Sequence, residues 1–201
     1  STIRDPQSTA HPIRKRGNLE LFNRLIVKTM PIVPKPIIRR VSNRYIAGDT
    51  LADAVRLVRE LNQRGMMATL DLLGEFISKR EEATATATAY IEALDAIAKE
   101  KLNSNISIKL TAFGLKLDFE FCLANVRKVV QHAAGLGNFV RLDMEDSSCT
   151  TDTIRIYQTL RPEYKNVGIV IQAYMRRSLA DIRGFMANGA ATNVRLCKGI
   201  Y

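Results

Sequence analysis

Phe139-Val140-Arg141-Leu142-Asp143-Met144 is the stretch whose reading decides the fold. Val140, Leu142 and Met144 share one parity, and Arg141 and Asp143 share the other. Successive side chains of a strand point to opposite faces, so this segment has one apolar face and one charged face. The pattern recurs along the chain. Ile106, Ile108 and Leu110 oppose Ser107 and Lys109; Ile169, Ile171 and Ala173 oppose Gly168, Val170 and Gln172; Val194 and Leu196 oppose Asn193 and Arg195. More roughly, Ala68, Leu70 and Leu72 oppose Thr69 and Asp71. The strands are read as Met66–Leu72, Ile106–Thr111, Phe139–Met144, Val167–Ala173 and the terminal stretch from Asn193.

Helical periodicity fills the intervals. Asp49 or Thr50 is expected to cap a helix carrying Leu51, Val55, Val58 and Leu61, which ends near Gly65. Ser78-Lys79-Arg80-Glu81 has the form of a capping box and opens a helix with Tyr90, Leu94 and Ile97 on one face. Asp118 starts a helix with Phe119, Leu123, Val126 and Val130, closed by Gly135 and Gly137. Another runs through Ile154, Tyr157 and Leu160, and Ser178 is expected to cap the last, with Gly189 at its C-terminal side.

Strands alternating with helices through short connections form parallel βαβ units. A doubly wound open sheet and a barrel both fit that order. Strands buried on both faces of an open sheet are apolar at both parities, whereas here one parity ends in a polar residue strand after strand. The fold class is therefore α/β, a (β/α)8 barrel of TIM type. A full barrel takes about 250 residues, and only five βα units are read here, so the expectation is a truncated barrel. An open five-stranded piece leaves two unpaired edges.

Composition narrows the classes. The chain has 201 residues, 46% hydrophobic, enough for a sizeable core. No apolar run approaches the ~20 residues of a membrane span, and the N-terminus lacks an apolar segment of the secretory kind. Cys122, Cys149 and Cys197 are three in number without C-x-x-C spacing, which suits reduced thiols. The net charge of +10 is uneven: residues 1–45 hold ten Lys or Arg against Asp5 and Glu20, leaving residues 46–201 nearly neutral. Residues 1–45 form a basic, partly helical arm, with one helix from Asn18 ended by Pro31, Pro34 and Pro36 and a second from about Ile37. Such an arm suits anionic lipid or nucleic acid. Residues 46–201 form the partial barrel.

With only His11 and His132, a histidine-based metal site or triad has little material, and no metal site is expected. No G-x-G-x-x-G, G-x-x-x-x-G-K-[ST] or G-x-S-x-G motif occurs. If the apolar parity faces the helices, Lys109, Asp143, Gln172 and Arg195 converge inside, near the C-terminal strand ends where barrel enzymes keep their sites. A Lys can pair with a substrate carboxylate or, desolvated, form a Schiff base. Gln172 offers a donor and an acceptor to the edge of a heterocycle. Arg195 brings a fixed cationic fork to a centre that becomes electron-rich.

Five segments then carry a specific likeness: Leu70-Asp71-Leu72-Leu73-Gly74-Glu75, Ser107-Ile108-Lys109-Leu110-Thr111, Arg141-Leu142-Asp143-Met144-Glu145-Asp146, Ile171-Gln172-Ala173-Tyr174 and Arg195-Leu196-Cys197-Lys198-Gly199-Ile200-Tyr201. In this order at strand ends, from about Val41 to Tyr201, the chain resembles the proline dehydrogenase family, FAD-dependent enzymes on a distorted (β/α)8 barrel. The resemblance implies oxidation of L-proline to Δ1-pyrroline-5-carboxylate by hydride transfer to flavin N5, with electrons passed to quinone. By position it implies that Asp143 and Arg195 are catalytic and that Lys109 ion-pairs the proline carboxylate. Tyr201 lines the substrate pocket, and Met144, Gln172, Lys198, Gly199 and Ile200 contact FAD. The family usually has a small residue where Ile200 stands, a harmless departure if only its backbone meets the flavin. A paired arginine for the carboxylate and much of the FAD site belong to family elements after the fifth strand, so this chain alone is expected to be inactive. A cytoplasmic location with peripheral contact on the inner membrane face follows from the same likeness, and nucleic acid is not an expected partner. Two rival readings remain at this level: a Schiff-base lyase of aldolase type using Lys109 or Lys198, and a lipid- or nucleic-acid-binding module built on the basic arm.

Overall fold

The computed structural model describes residues 48, 50–74, 77–187 and 192–199, and Thr50 opens the first helix among them. The basic arm with its two expected helices, Asp49, Glu75, Gly189, Ile200 and Tyr201 lie outside the described residues.

Helix α1 (Leu51–Gln63) is capped by Thr50, whose hydroxyl accepts from Asp53 N at 3.2 Å. Strand β1 (Ala68–Leu70) leads to α2 (Arg80–Lys99), which buries Ala83, Ala87, Tyr90, Leu94 and Ile97 at helical spacing. The capping at α2 is one residue later than the sequence pattern suggests. Glu82, not Glu81, reaches back, accepting from Ser78 N at 2.8 Å and Lys79 N at 3.1 Å. Strand β2 (Ser104–Ile108) is followed by a 3-10 turn (Leu110–Phe113) and by α3 (Phe119–Gly135), whose cap Asp118 accepts from Phe121 N at 2.8 Å. Strand β3 (Val140–Leu142), helix α4 (Thr150–Leu160), strand β4 (Val167–Gln172), helix α5 (Ser178–Ala187) and strand β5 (Val194–Cys197) complete the order. Ser178 begins α5 but does not cap it: its hydroxyl donates to Gln172 O at 2.5 Å and so ties down the end of β4.

The five strands are all parallel and neighbour one another in chain order, β1-β2-β3-β4-β5. A doubly wound sheet reverses its strand order at a switch point. This one does not, and it steps round as a (β/α)8 barrel does through five of its eight strands. The register aligns Ser107 with Arg141 and Arg141 with Gly168, so the polar parity of one strand meets that of the next.

The apolar parity faces the helices, as expected. Ile106, Ile108, Leu110, Val140, Leu142 and Ile169 are fully buried in one core with Tyr90, Leu94, Phe113, Val126 and Val130. Each such side chain contributes about 1.5–3 kcal/mol over its exposed state. Strand β5 is the exception, because Leu196 on the same parity is 63% exposed. On the other face of the sheet Gly168 makes room: a Cβ there would run into Arg141 and the Phe139 ring and would lie 2.9 Å from Asn193 O. Arg141 uses that room to donate to Asn193 Oδ1 at 2.6 Å and Asn193 O at 3.2 Å. Burial, with the like charge of Arg195 second, lowers the Arg141 pKa.

Candidate functional site

Inward side chains on or just after β1, β2, β3 and β5 form one connected polar network. Lys109, immediately after β2, brings Nζ to 3.2 Å from Asp71 Oδ2. Lys109 is mostly withdrawn from solvent and Asp71 about one-third exposed (side chains 13% and 34%). Asp71 Oδ1 accepts from the Tyr90 hydroxyl at 3.0 Å. The same phenol oxygen accepts from Leu72 N at 3.0 Å and lies 2.9 Å from Ser107 O. Ser107 Oγ in turn stands 3.4 Å from Arg195 Nη2, which is also 3.4 Å from Asp143 Oδ1.

The loop after β3 is fixed by its own carboxylates. Asp143 N donates to Ile108 O at 2.8 Å, and Asp143 Oδ1 accepts from Met144 N at 2.9 Å. Glu145, buried, accepts from Thr111 N at 3.0 Å and from the Thr111 hydroxyl, which joins this loop to the turn after β2. Thr111 therefore belongs to the 3-10 turn and not to the strand, because its N–H is taken by a side chain. Asp146 accepts from Ser148 N at 2.8 Å and from its hydroxyl at 2.5 Å, which holds its carboxyl below the usual range, with Lys116 adding a contact at 3.4 Å.

Gln172 ends β4 with Nε2 donating to Met144 O at 2.7 Å. The amide is thereby oriented, and its Oε1 is buried with no donor among the described residues. Arg195 Nε is likewise buried without an acceptor among them. An unpaired buried polar group costs about 1–3 kcal/mol, so an open acceptor and an open donor on adjacent strands suit a ligand edge that carries both. Gly199, just past β5, has φ +95°, and a Cβ there would overlap the Tyr174 ring. Tyr174 N donates to Lys198 O at 3.1 Å, which pins this tip to the end of β4.

Of the residues singled out from sequence, the structure joins Asp143 to Arg195 directly and Gln172 to the Met144 carbonyl. It joins Lys109 to Asp71. The Met144 side chain is buried on the helix-facing side, so only its backbone belongs to the site. Lys198 is exposed, and Ile200 and Tyr201 lie outside the described residues. Sequence reasoning missed Asp71, Tyr90, Ser107 and Glu145 as members of the site. Asp71 and Ser107 were legible as inward-parity residues; Tyr90 and Glu145 carried no such signal. Lys109 is engaged by a carboxylate, the partner of an ammonium and not of a nucleophilic amine, which disfavours a Schiff-base role. Among the described residues no cluster of His, Cys, Asp and Glu could hold a metal, and no helix is long and apolar enough to cross a membrane.

Sequential parallel strands that carry Asp71, Lys109, Asp143 and Arg195 toward one face define a barrel of the TIM type, with the candidate site on the inner face toward the strand ends where such barrels keep theirs. Residues 54–201 match the family model described as Proline dehydrogenase, and the chain belongs to the proline dehydrogenase family. It is 40% identical over 160 residues to proline dehydrogenase 1 of Bacillus subtilis (strain 168), covering 80% of this chain and 52% of that protein. It is 32% identical over 166 residues to the proline dehydrogenase of Deinococcus radiodurans, covering 80% and 53%. The chain thus spans about half the length of the curated relatives it matches. Among solved structures it superposes on proline utilization A from Bdellovibrio bacteriovorus inactivated by N-propargylglycine, with TM-score 0.68 and 27% identity over 78% of this chain and 20% of that one.

Proposed function

We propose that this barrel segment, within a longer protein, serves the flavin-dependent oxidation of L-proline to Δ1-pyrroline-5-carboxylate, the first step of proline breakdown toward glutamate. The observation that carries the reading is the pair of inward cations, Lys109 just after β2 against Asp71 just after β1, and Arg195 on β5 against Asp143 just after β3, both on the inner face of the one sheet. Proline arrives as a zwitterion, and its carboxylate needs a charged donor. Lys109 fills that role, while Arg195 and Asp143 stand beside the reacting centre as a fixed cation and its orienting anion.

The residues present fit FAD. Gln172 Oε1 and Arg195 Nε, both buried and without a partner among the described residues, supply an acceptor and a donor for a heterocycle edge. The backbone of Met144, the Lys198 ammonium and the backbone of Gly199, which packs against the Tyr174 ring, extend that edge, and Ile200 and Tyr201 follow in sequence. When bound, FAD supplies the hydride-accepting N5 and passes electrons on to quinone. The residues of this chain bind the carboxylate, orient the ring and place positive charge where electron density builds. Peripheral membrane contact belongs with quinone reduction. The 201-residue chain alone is not expected to turn over proline.

The test is spectroscopic. In the full-length protein loaded with FAD, anaerobic L-proline is expected to bleach the flavin absorbance. Bound flavin that L-proline leaves oxidised would sink the assignment.

A further inference from the structure

Tyr90 lies in the middle of α2, is 1% exposed, and reads in the sequence as one apolar-face residue among several. Its ring packs against Phe113 with centroids 5.5 Å apart. Its oxygen does something a core tyrosine need not do. It comes up beneath the ends of β1 and β2, where it accepts from Leu72 N and faces two acceptors, Asp71 Oδ1 at 3.0 Å and Ser107 O at 2.9 Å. A phenol has one proton to give. Burial first, and the charge of Asp71 second, push its ionisation far above the ordinary value, so it remains a donor at any working pH.

The two acceptors lead in two directions. Asp71 passes its other oxygen to Lys109 Nζ at 3.2 Å, and Ser107 carries the hydroxyl that stands 3.4 Å from Arg195. A lysine has a flexible four-carbon stem, and fixing its head costs side-chain entropy that a ligand otherwise meets on binding. A carboxylate held by a rigid buried phenol removes that cost beforehand.

We propose that Tyr90 is a positioning residue for substrate capture: acting through Asp71, it holds the Lys109 ammonium where a carboxylate-bearing substrate must meet it. The proposal rests on the reading above that Lys109 takes the proline carboxylate. It adds that affinity for that carboxylate is set from beneath the strands, by a helix residue that never touches the substrate.

The experiment uses the full-length, FAD-loaded protein. KM and kcat for L-proline are measured together with the inhibition constant of cyclopentanecarboxylate, a ring carboxylate without the amine. The proteins compared are wild type, Tyr90→Phe, Asp71→Asn, Lys109→Met and the doubles Y90F/K109M and D71N/K109M. Losing one hydrogen bond in the chain is expected to raise KM and the inhibition constant about three- to tenfold, with kcat moving by less than about twofold. In the Lys109→Met background the same changes are expected to add nothing, because their route to substrate is gone. Asp71→Asn retains an oxygen to accept from Tyr90 and removes no core atom, so it carries the test if Tyr90→Phe folds poorly. A purely structural tyrosine predicts equal losses with and without Lys109, and that result overturns the proposal. Unchanged KM and inhibition constant in either single variant, Tyr90→Phe or Asp71→Asn, overturn it alone; wild type that does not oxidise L-proline overturns the functional reading and this inference with it.

Discussion

Arg195 Nη2 lies 3.4 Å from Asp143 Oδ1, across the inner face of the sheet from β5 to the residue after β3. The pair is partly open to solvent, with side-chain exposures of 40% and 25%, so its direct contribution to folding is small. Its value lies in orientation. Asp143 is itself pinned by its own N–H donating to Ile108 O and by accepting from Met144 N, which makes it a rigid stop for a guanidinium.

Replacing Arg195 by Lys keeps the charge and loses the fork, so the exchange is not conservative at this position. In the full-length, FAD-loaded protein, Arg195→Lys is expected to slow flavin reduction by L-proline roughly 10²-fold, the scale of removing one preorganised donor. Melting temperature should change little. Rapid mixing under anaerobic conditions reads the rate directly, and a rate within twofold of wild type (about 0.4 kcal/mol) would remove Arg195 from the reacting centre.

Gly168 tests the opposite end of the inner face. A methyl group there meets Arg141, the Phe139 ring and a backbone carbonyl 2.9 Å away, and the carbonyl cannot retreat because Asn193 O accepts from Ile169 N at 3.0 Å. Gly168→Ala is expected to destabilise by about 1–3 kcal/mol, the usual cost of overpacking. Denaturant unfolding measures it, and no loss would mean that the Arg141–Asn193 contact is readily rearranged.

Much of this was legible in sequence for one reason: a strand with one face on helices and one on the inner site alternates apolar and polar residues at period two, and that alternation recurs strand after strand. Val140, Leu142 and Met144 against Arg141 and Asp143 were read correctly on that basis. Strand ends were not, because side chains compete for the backbone there. Glu145 takes the Thr111 N–H and turns the chain after Lys109. Ser178 gives its hydroxyl to Gln172 O in place of capping α5. The Lys109–Asp71 contact joins residues on separate βα units, and periodicity carries no information about which inward charges meet. Tyr90 was read as core, which it is; its hydroxyl is the functional part and leaves no trace in a hydrophobic pattern.

Acid should loosen the helix starts. Asp118 accepts from Phe121 N, Glu82 from Ser78 N, and Asp53 from the Thr50 hydroxyl, and each carboxyl is held below its usual value chiefly by that bond. A depressed folded-state pKa means that the unfolded chain binds the proton more readily. The stabilisation is complete above the unfolded carboxylate range, about pH 4, and disappears as pH falls through the lower folded values. Melting temperature of the full-length protein should therefore fall more steeply on acidification for wild type than for Asp118→Asn. Parallel pH profiles would show that the cap contributes nothing.

The three cysteines should separate by reactivity. Cys122 is fully buried on α3 with Sγ 3.6 Å from Leu110 O, and burial pushes its thiol far up, which suppresses the reactive thiolate. Cys149, at the start of α4, is also buried and its thiol is raised, again mainly by burial. Cys197 is only half-buried, at the end of β5 opposite Gln172. Alkylation of the native full-length protein, mapped by mass spectrometry of its peptides, is expected to label Cys197 first. Cys122 and Cys149 should label only when denaturant opens the core. Equal labelling of Cys122 under native conditions would mean that α3 leaves the sheet far more often than a core containing Val126, Val129 and Val130 allows.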